Sequence, residues 1–548
     1  MNLTRLDQIV MIFILLIWGN AAHADDGPKI QNGGTVVTVP GVGLAPPAAM
    51  NGFNPFLTSS AYDAEAEGLM YQPLFWVNRD FKINFKLSIA KKIVVGPRHR
   101  SFTVYLHRHW KWSDEVKVTT TDIAYTYHML MKLGPLYPGW DSGGFPGDIQ
   151  SFKVMGPFVF RVITKQSVNP RWFELSGLSY FNPYPAHSWQ HYSVKQMNDN
   201  MTNPRFYSVV DGPFRLQSFH PGRYASMIPN KAYSGPDKPH ISRLIFRFLN
   251  SYASVFFALK SGAVQLGNLP APLYPARKQL TNDHLTIVGP IWGFNYLGFN
   301  FSNPKIAFVK NLLVRQAMMH AVNQDLMINV MSYGYGDRAY GLVPGNPPVY
   351  LSPEAKALLK HGAYDPELAD KLLDEAGWYR GPDGIREKNG QKMAFTMYMP
   401  PSMVRGPTLL ATMFAKVGIL VRLREMPFNE VYAQMVDPHS KKWQAVYLAW
   451  SQTGFPTGGS IFKCGGVQNS YHYCNHRMDA LMAKIRVTPG LNALYKFQNY
   501  FTEQQPVIVL PNMKIFVMAA KNIHGVSRAI TPTGGFYPQY LWVSHAES

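Results

Sequence analysis

Residues 119–133 read TTTDIAYTYHMLMKL, a stretch that predicts an amphipathic helix beginning at a cluster of threonines. A threonine hydroxyl can accept a hydrogen bond from the free backbone N–H groups of the first helical turn, so the cluster supplies an N-cap. Apolar side chains then recur at the three- and four-residue spacing of a single helix face. We therefore expect a helix from Thr121 onward, packed by that face against a second layer.

Short strands alternate with helices along the rest of the chain. Apolar alternation or apolar runs predict strands at 102–106, 241–250, 416–426 and 444–450, and the last two read as buried. A Ser-capped helix closed by Gly262 follows the second of these strands, and 364–378 forms another helix with Pro366 in its first turn. This alternation indicates a layered α/β fold.

The N-terminus carries the marks of an export signal. Arg5 precedes a ten-residue apolar run, Ile9 to Trp18, and Ala22-His23-Ala24 has the small-x-small form of a cleavage site. A membrane-spanning helix needs about 20 apolar residues, so a permanent N-terminal anchor is the weaker alternative. We expect cleavage near Ala24 and an exported, soluble mature protein.

Export makes the two cysteines interpretable. Cys464 and Cys474 are ten residues apart, and an oxidising compartment favours a disulfide between them. The alternative is a metal site, because His472, Cys474 and His476 alternate and would share one face of a strand. Zinc sites usually use more widely separated ligand pairs, so the disulfide is the prediction and no bound metal is expected.

The chain is strongly basic, with a formal net charge of +20. Nucleic acid, an anionic membrane surface and an acidic ligand could all attract such a protein. The charges are dispersed, however, and form no run of five or more as a nucleic-acid-binding arm would. Low carboxylate content suited to an acidic exterior is a further explanation, and composition does not separate these alternatives.

Motifs of several enzyme classes are missing. The sequence contains no P-loop, no H-E-x-x-H and no G-x-S-x-G element. A Ser/His/Asp triad can be dispersed along a chain, so a single sequence does not exclude one. No residue stands out as a nucleophile, and we predict a protein that is not an enzyme and needs no cofactor.

Five segments follow one another along the chain: WSDEVKVTTTDIAYTY (112–127), DGPFRLQSFHPGRY (211–224), NKAYSG (230–235), NLLVRQAMMHAVNQDLMI (311–328) and YDPELADKLLDEAGW (364–378). With further segments, taken in chain order, they resemble the family 5 extracellular solute-binding proteins, the dipeptide-, oligopeptide- and nickel-binding group that serves ATP-driven importers. The resemblance runs from about residue 35 to 525 and includes Asp114 and Asp122, which the family's first signature also carries. Ala263, Gln265 and Asn323 depart from it by replacing acids, which favours the acidic-exterior explanation of the charge.

The resemblance implies an α/β fold like that of type II periplasmic-binding proteins, with two lobes joined at a hinge and an additional small domain. After a signal peptide at 1–24, lobe I would be discontinuous. Its segments would be 25–61, 180–285 and 511–548. The small domain would occupy 62–179 and lobe II 286–510.

The same resemblance implies a periplasmic, monomeric protein that binds no nucleic acid. It would capture a small peptide or peptide-like ligand between the lobes and deliver it to ABC transporter permease subunits in the inner membrane. Two alternatives remain: a binding module without a transport role, such as a sensor partner or chaperone, and a secreted hydrolase on the same fold.

In peptide-binding relatives, the segment resembling YLAWSQTGF (447–455) lines the ligand cleft and pairs with the peptide as an added strand. The resemblance extends this role to residues of both lobes. The candidate ligand-binding residues are Ser59, Ser60, Ala61, Phe428, Tyr447, Ala449, Trp450, Ser451, Thr453 and Lys514.

Thr453 departs from the family pattern. It falls where peptide-binding relatives carry the carboxylate that holds a peptide's α-amino group, and a hydroxyl cannot balance a buried ammonium. We therefore expect a ligand without an exposed N-terminal amine: a modified peptide, an opine-like conjugate or an oligosaccharide. The alternative is an ordinary peptide, with the alignment shifted by a residue or two in this Gly/Pro loop.

Overall fold

The computed structural model describes residues 30–544 except 43–48, 59, 141, 250, 290–291, 401–402, 437–441, 459–460, 467 and 532–534, and it leaves out the side chains of 428 and 429. The predicted signal peptide and Ser59 lie outside the described residues. In the part of the chain that is described, no helix is both long and apolar enough to cross a membrane.

A seven-stranded mixed sheet forms the first layer. Thr35–Thr38 at its centre runs parallel to both of its neighbours, and the other neighbouring strands are antiparallel. In spatial order the strands are Asp283–Val288, Ile515–Ala520, Leu266–Leu269, Thr35–Thr38, Arg243–Arg247, Tyr224–Pro229 and Phe214–His220.

A five-stranded sheet forms the second layer. Its central strand, Ala445–Ser451, is antiparallel to one neighbour along seven residue pairs and parallel to the other through only two. In spatial order the strands are Leu420–Glu425, Ala394–Met399, Ala445–Ser451, Gly293–Phe299 and Ile508–Leu510.

The described residues also form a four-stranded antiparallel sheet and three small strand groups. The four strands are, in spatial order, Ala90–Val95, Ser101–Leu106, Val159–Thr164 and Ile149–Gly156. The small groups are Gly336–Asp337 with Asn512–Met513, Tyr379–Arg380 with Arg386–Lys388 and Gln391–Lys392, and Ile523–His524 with Trp542–Val543.

Helices cover the sheets and connect their strands. They are Ala61–Met70, Thr120–Leu133, Pro170–Ser176, Ala186–Trp189, Val194–Asp199, Tyr252–Lys260, Leu312–Ala321, Gln324–Ser332, Pro353–His361, Pro366–Glu375, Arg405–Lys416, Phe428–Val436, His476–Val487, Asn492–Gln504 and Val526–Ala529.

The helix Thr120–Leu133 begins at the predicted threonine cluster, one residue earlier than expected. The Thr119 hydroxyl accepts from the Thr121 N–H, and the Asp122 carboxylate accepts from the Thr119 N–H, a reciprocal capping box. The other Asp122 oxygen accepts from the Ala186 N–H at 3.0 Å, so this residue also holds the start of helix Ala186–Trp189. Burial is the main cause that raises the pKa of Asp122.

The mixed α/β architecture is confirmed, but one predicted strand differs in its surroundings. Residues 416–426 were expected to form a buried strand. Lys416 instead ends a helix, and the strand Leu420–Glu425 exposes its last four residues. The reason is its position at the edge of the five-stranded sheet, where Ala394–Met399 is its only partner among the described strands.

The four-stranded sheet is tied to the five-stranded sheet's side of the molecule through helix Pro170–Ser176. Asn169, at the N-cap of this helix, donates from Nδ2 to the Ile485 carbonyl at 3.2 Å, and Arg486 forms an ion pair with Asp148. The Arg171 guanidinium lies 4.9 Å from the centre of the Tyr350 ring. The lobe and domain boundaries themselves stay predictions, because sheet membership does not fix where one lobe gives way to the next.

Candidate functional site

A cavity of about 630 Å³ lies between the seven-stranded and five-stranded sheets, and we call it the cleft cavity. Its volume is typical of small-molecule sites, and most of its lining is apolar. The lining residues are Tyr252, Asn268–Pro272, Gly293–Asn295, Met331, Met403–Gly406, Tyr447, Ala449–Ser451 and Asn512–Phe516. A second cavity, of about 550 Å³, surrounds the Arg338–Asp325 ion pair and includes none of the predicted site residues.

Five of the predicted ligand-binding residues line the cleft cavity. Four lie on or beside one strand end, Tyr447, Ala449, Trp450 and Ser451, and the fifth is Lys514 just before strand Ile515–Ala520. Trp450 is half-buried and packs on the hydrophobic core, so part of its ring serves the fold. The structure brings these five residues to one cavity, and their role in binding a ligand stays a prediction.

The strand end at 449–451 has one open edge. Strand Ala394–Met399 pairs with Ala445 and Val446 and then diverges, so no strand of the described chain covers that edge beyond Val446. On the other side, the Gln452 N–H donates to the Trp292 carbonyl at 2.9 Å, which marks this opposed pair as hydrogen-bonded.

Hydrogen-bonded and non-hydrogen-bonded pairs alternate along antiparallel strands. Ser451 and Ala449 lie one and three residues before Gln452, opposite Gly293 and Asn295, and both are therefore non-hydrogen-bonded positions. Their N–H and C=O groups point away from the neighbouring strand and toward the open edge. Four backbone hydrogen-bonding groups thus face the cleft cavity without a strand partner. We call this the open edge.

Thr453 lies outside the cavity lining, at a contact with helix Pro170–Ser176. Its hydroxyl is 2.7 Å from the Ser176 hydroxyl and donates to the Phe455 carbonyl at 2.9 Å. Its carbonyl accepts from the Trp292 indole N–H at 2.8 Å. Thr453 therefore forms its hydrogen bonds within the protein. It does not line the cavity, and its role in ligand binding stays a prediction.

The other predicted ligand-binding residues are not among the described residues that line the cavity. The Ser60 hydroxyl accepts from the Tyr62 and Asp63 N–H groups and caps helix Ala61–Met70, and neither Ser60 nor Ala61 is among the lining residues. Phe428 is the first residue of a helix, and its side chain is outside the described part. Their assignments stay predictions.

Sequence reasoning missed three asparagines that line the cavity, two of which are hydrogen-bonded to each other. Asn512 donates from Nδ2 to the Gly293 carbonyl at 3.1 Å, and its Oδ1 accepts from Asn295 Nδ2 at 3.0 Å. Asn295 Nδ2 also donates to the Pro511 carbonyl at 3.1 Å. Asn268, on the opposite wall, donates from Nδ2 to the Gly41 carbonyl at 3.0 Å. The available signal was an asparagine interrupting each apolar strand, as in LGNLP and GFNYLGF.

The lining charges are all positive. Arg405 and Lys514 are its charged residues, and no carboxylate occurs among the described residues that line the cavity. The Arg405 guanidinium donates to the Val330 carbonyl at 2.9 Å, and no hydrogen bond or ion pair of the Lys514 ammonium occurs within the described chain. An uncompensated ammonium of a ligand would therefore meet repulsion in this cavity.

Methionines and aromatic rings supply the apolar surface. Met331, Met403 and Met513 line the cavity together with Phe294 and Phe516. Unbranched methionine side chains adapt to different ligand shapes, so the wall can accept more than one apolar group.

Two carboxyls with raised pKa values lie on helix Ala61–Met70, outside the cavity lining. Glu65 accepts from the Gly41 N–H at 2.8 Å, and burial raises its pKa to about 8. Glu67 accepts from the Thr58 hydroxyl at 2.6 Å, and burial likewise raises its pKa to about 8. These acids are held by the protein rather than presented by the lining, so they do not compensate Arg405 and Lys514 within the cavity.

The predicted disulfide is present: Cys464 and Cys474 are bonded, and their Cα atoms are 4.5 Å apart. The strand face that the alternative metal site required does not form in this part of the described chain, because His472 has a left-handed backbone and His476 begins a helix. The imidazole of His476 lies near both sulfurs, but sulfurs bonded to each other are not thiolate ligands.

The family model for bacterial extracellular solute-binding proteins, family 5, matches residues 84–470. The chain is similar to the oligopeptide-binding protein AppA of Bacillus subtilis, with 24% identity over 84% of this chain and 82% of that protein. It is also similar to the dipeptide-binding protein of Escherichia coli, with 25% identity over 86% of this chain and 89% of that protein.

Solved structures share its architecture. AppA of Bacillus subtilis, in complex with a nonapeptide, superposes with a TM-score of 0.75 at 20% identity and covers 94% of this chain and 100% of that one. NikA of Brucella suis, in complex with Fe(III)-EDTA, gives a TM-score of 0.76 at 21% identity over 93% of this chain and 100% of that one. At these identities the likeness establishes the fold alone.

Proposed function

The chain belongs to the bacterial extracellular solute-binding proteins of family 5, and from this premise we propose that it captures a peptide or peptide-like solute in the cleft cavity and delivers it to the permease of an ABC transporter. Membership confirms the resemblance drawn from the ordered motifs, and the shared architecture confirms the predicted α/β fold of the type II periplasmic-binding kind.

The open edge is the observation that carries the proposal. A peptide laid beside residues 449–451 can pair its main chain with the four free backbone groups and become a sixth strand of the five-stranded sheet. Backbone pairing of this kind gives affinity that does not depend on side-chain identity. The names of the relatives, an oligopeptide-binding and a dipeptide-binding protein, support the same ligand class.

We further propose that the ligand carries no free N-terminal ammonium. Two observations support this: the lining contains Arg405 and Lys514 but no described carboxylate, and Thr453 is bonded to Ser176 instead of facing the cavity. A blocked N-terminus, as in an N-acylated peptide, avoids an unpaired buried cation. A carboxylate at the other end of the ligand would be attracted to the two cations.

Export and a periplasmic location complete the proposal. The predicted leader at 1–24 supplies the export signal, and the Cys464–Cys474 disulfide fits an oxidising compartment. We propose a monomer that binds without covalent chemistry and needs no cofactor.

The test begins with mass spectrometry of ligand that co-purifies with the native protein from the periplasm. Thermal denaturation should then show stabilisation by a peptide from a panel of peptides, opines and sugars, since a ligand that binds only the folded state raises the melting temperature. Methylating a backbone nitrogen of the peptide that donates to the open edge should weaken binding about 10-fold, because that N–H donor is lost. A panel without any shift in melting temperature would contradict capture.

Matched pairs separate the finer parts of the proposal. An N-acetylated peptide should bind more tightly than its free-amine form, and the reverse order would contradict the blocked-terminus proposal. Recovery of the bound peptide intact supports binding without catalysis, whereas turnover would indicate a hydrolase. Loss of uptake of that peptide in a deletion strain, restored by this gene, would establish delivery.

A further inference from the structure

The Asn295 side chain has one hydrogen-bonding position left over. Both of its Nδ2 hydrogens are used, by the Pro511 carbonyl and by Asn512 Oδ1. A carbonyl can only accept, so the bond to Pro511 fixes which end of the amide is nitrogen. The Oδ1 atom accepts no hydrogen bond within the described chain, and it is not sealed inside the protein. It is therefore a fixed acceptor on the wall of the cleft cavity.

Asn512 holds this orientation in place. It is 4% exposed, its Nδ2 donates to the Gly293 carbonyl, and its Oδ1 receives the hydrogen bond from Asn295. If the Asn295 amide were flipped, its oxygen would face two other acceptor oxygens, the Pro511 carbonyl and Asn512 Oδ1. Both contacts would be repulsive. The acceptor consequently stays in position in the absence of a ligand.

The register of the sheet connects Asn295 to the open edge. Asn295 lies directly opposite Ala449, and opposed residues of neighbouring strands carry their side chains on the same face. A ligand residue placed beside Ala449 would carry its side chain on this face too. The three residues would form a row in which the only intervening side chain is the methyl group of Ala449.

The length of this row selects the ligand side chain. Two strand spacings separate the ligand backbone from that of Asn295, about 10 Å in all. A short side chain such as serine cannot cover that distance, whereas a long one can cross over the alanine methyl and reach Oδ1. The side chain must end in a hydrogen-bond donor, because Oδ1 is an acceptor.

The charge of the lining selects among long donor side chains. Lysine and arginine would bring a second cation into a cavity lined by Arg405 and Lys514, with no carboxylate among its described lining residues. Glutamine ends in an uncharged amide donor and has a comparable reach.

We infer that Asn295 and Ala449 form a side-chain subsite that selects a long, uncharged side chain with a terminal N–H donor, of which glutamine is the representative. This inference rests on the proposed function, because it places a ligand strand along the open edge. It adds side-chain selectivity to a binding mode that otherwise reads only the backbone.

The experiment uses N-acetylated tri-alanine carrying glutamine, methionine or lysine at each position in turn, titrated into the purified mature protein by calorimetry. Methionine matches glutamine in length without the donor. At one position we expect glutamine to bind about 10-fold more tightly than methionine, because the methionine peptide covers the Asn295 Oδ1 acceptor without pairing it. Lysine at that position should bind more weakly than glutamine.

Two variants test the residues. Asn295→Leu should remove the preference for glutamine over methionine, with thermal denaturation used to confirm that the variant is folded. Ala449→Leu keeps the hydrogen bonds of Asn295, but its larger side chain blocks the path from the ligand to Asn295 Oδ1. It should therefore also abolish the preference for glutamine over methionine. Ala449→Gly, the matched control, leaves the row open and should retain it.

The outcomes distinguish the two proposals. If no peptide binds, the proposed function is wrong, and so is the subsite that rests on it. If peptides bind but the wild-type protein treats glutamine and methionine alike at every position, the subsite alone is overturned. A preference that survives both Asn295→Leu and Ala449→Leu would also overturn it, because the selectivity would then arise elsewhere.

Discussion

Residues 449–451 and 452–455 are consecutive, yet the protein treats their polar groups in opposite ways. Ala449 and Ser451 turn backbone groups toward the cleft cavity, on the side of their strand that no described strand covers. Just beyond, the Gln452 side chain donates to the Leu342 carbonyl at 3.0 Å, and Thr453 is bonded to Ser176 and Phe455. The first segment is left for a ligand and the second is used to join parts of the fold.

The difference shows how a binding surface can be recognised without a ligand. A buried backbone group without a partner costs free energy, so proteins pair nearly all of them. An unpaired run on a cavity wall is tolerable because water or a ligand can complete it. Polar character alone does not identify the site, since Thr453 is as polar as Ser451. What identifies it is whether the polar groups already have hydrogen-bond partners within the protein.

Ala449→Pro is expected to have the largest effect on this contrast. Proline removes the Ala449 N–H, which faces the open edge, and places its ring where the ligand strand would lie. Proline is tolerated at such edge positions because no ladder bond inside the sheet is lost. We expect peptide affinity to fall about 100-fold in calorimetric titration.

Ala449→Gly is the control for that change, since it keeps the N–H and should leave affinity within a few-fold of wild type. The melting temperature without ligand should change far less for Ala449→Pro than it would for a proline at the hydrogen-bonded position Leu448. Wild-type affinity in a folded Ala449→Pro protein would show that the ligand does not pair with this edge.

Replacing both cysteines by serine tests the anchoring of the loop that follows Phe455. The disulfide closes a loop of ten residues' separation, and the Cys464 N–H donates to Asp479 on helix His476–Val487. In the chain-entropy model, loss of such a loop lowers the free energy of unfolding by about 2–3 kcal/mol. Chemical denaturation measures this loss.

Peptide affinity should change little in the same variant, because neither cysteine lines the cavity. Wild-type protein treated with a reductant should lose the same stability, which serves as a control for the serine substitutions. A large loss of affinity at unchanged stability would mean that the loop belongs to the ligand site.

The sequence predicted the α/β layers because they depend on local signals. Apolar strands, capped helices and the ordered motifs identified the fold, and the segment ending at Ser451 was placed in the cleft by its resemblance alone. Helix Thr120–Leu133 was predicted to within one residue, because threonine caps and helical spacing are read over a few neighbouring positions.

The remainder depended on partners far away in the chain. Thr453 meets Ser176, 277 residues earlier, and nothing near either residue announces that contact. The orientation of Asn295 depends on Asn512, 217 residues later. The exposure of strand Leu420–Glu425 follows from its place at a sheet edge, which an apolar run does not reveal.

Thr453→Val is expected to give the smallest effect and tests the other half of the contrast. It removes a hydroxyl bonded to Ser176 and Phe455 while keeping the shape, so the free energy of unfolding should fall by about 1 kcal/mol. Thr453→Asp should destabilise more, because it sets a carboxylate against the Phe455 carbonyl with no described cation bonded there.

Chemical denaturation of the two Thr453 variants should therefore rank wild type above valine and valine above aspartate. Neither variant should alter the preference for N-acetylated over free-amine peptides, because Thr453 does not line the cavity. If Thr453→Asp instead bound free-amine peptides more tightly without loss of stability, the loop that contains residue 453 would be able to turn toward the ligand. The boundary between the ligand segment and the structural segment would then lie beyond Thr453 rather than after Ser451.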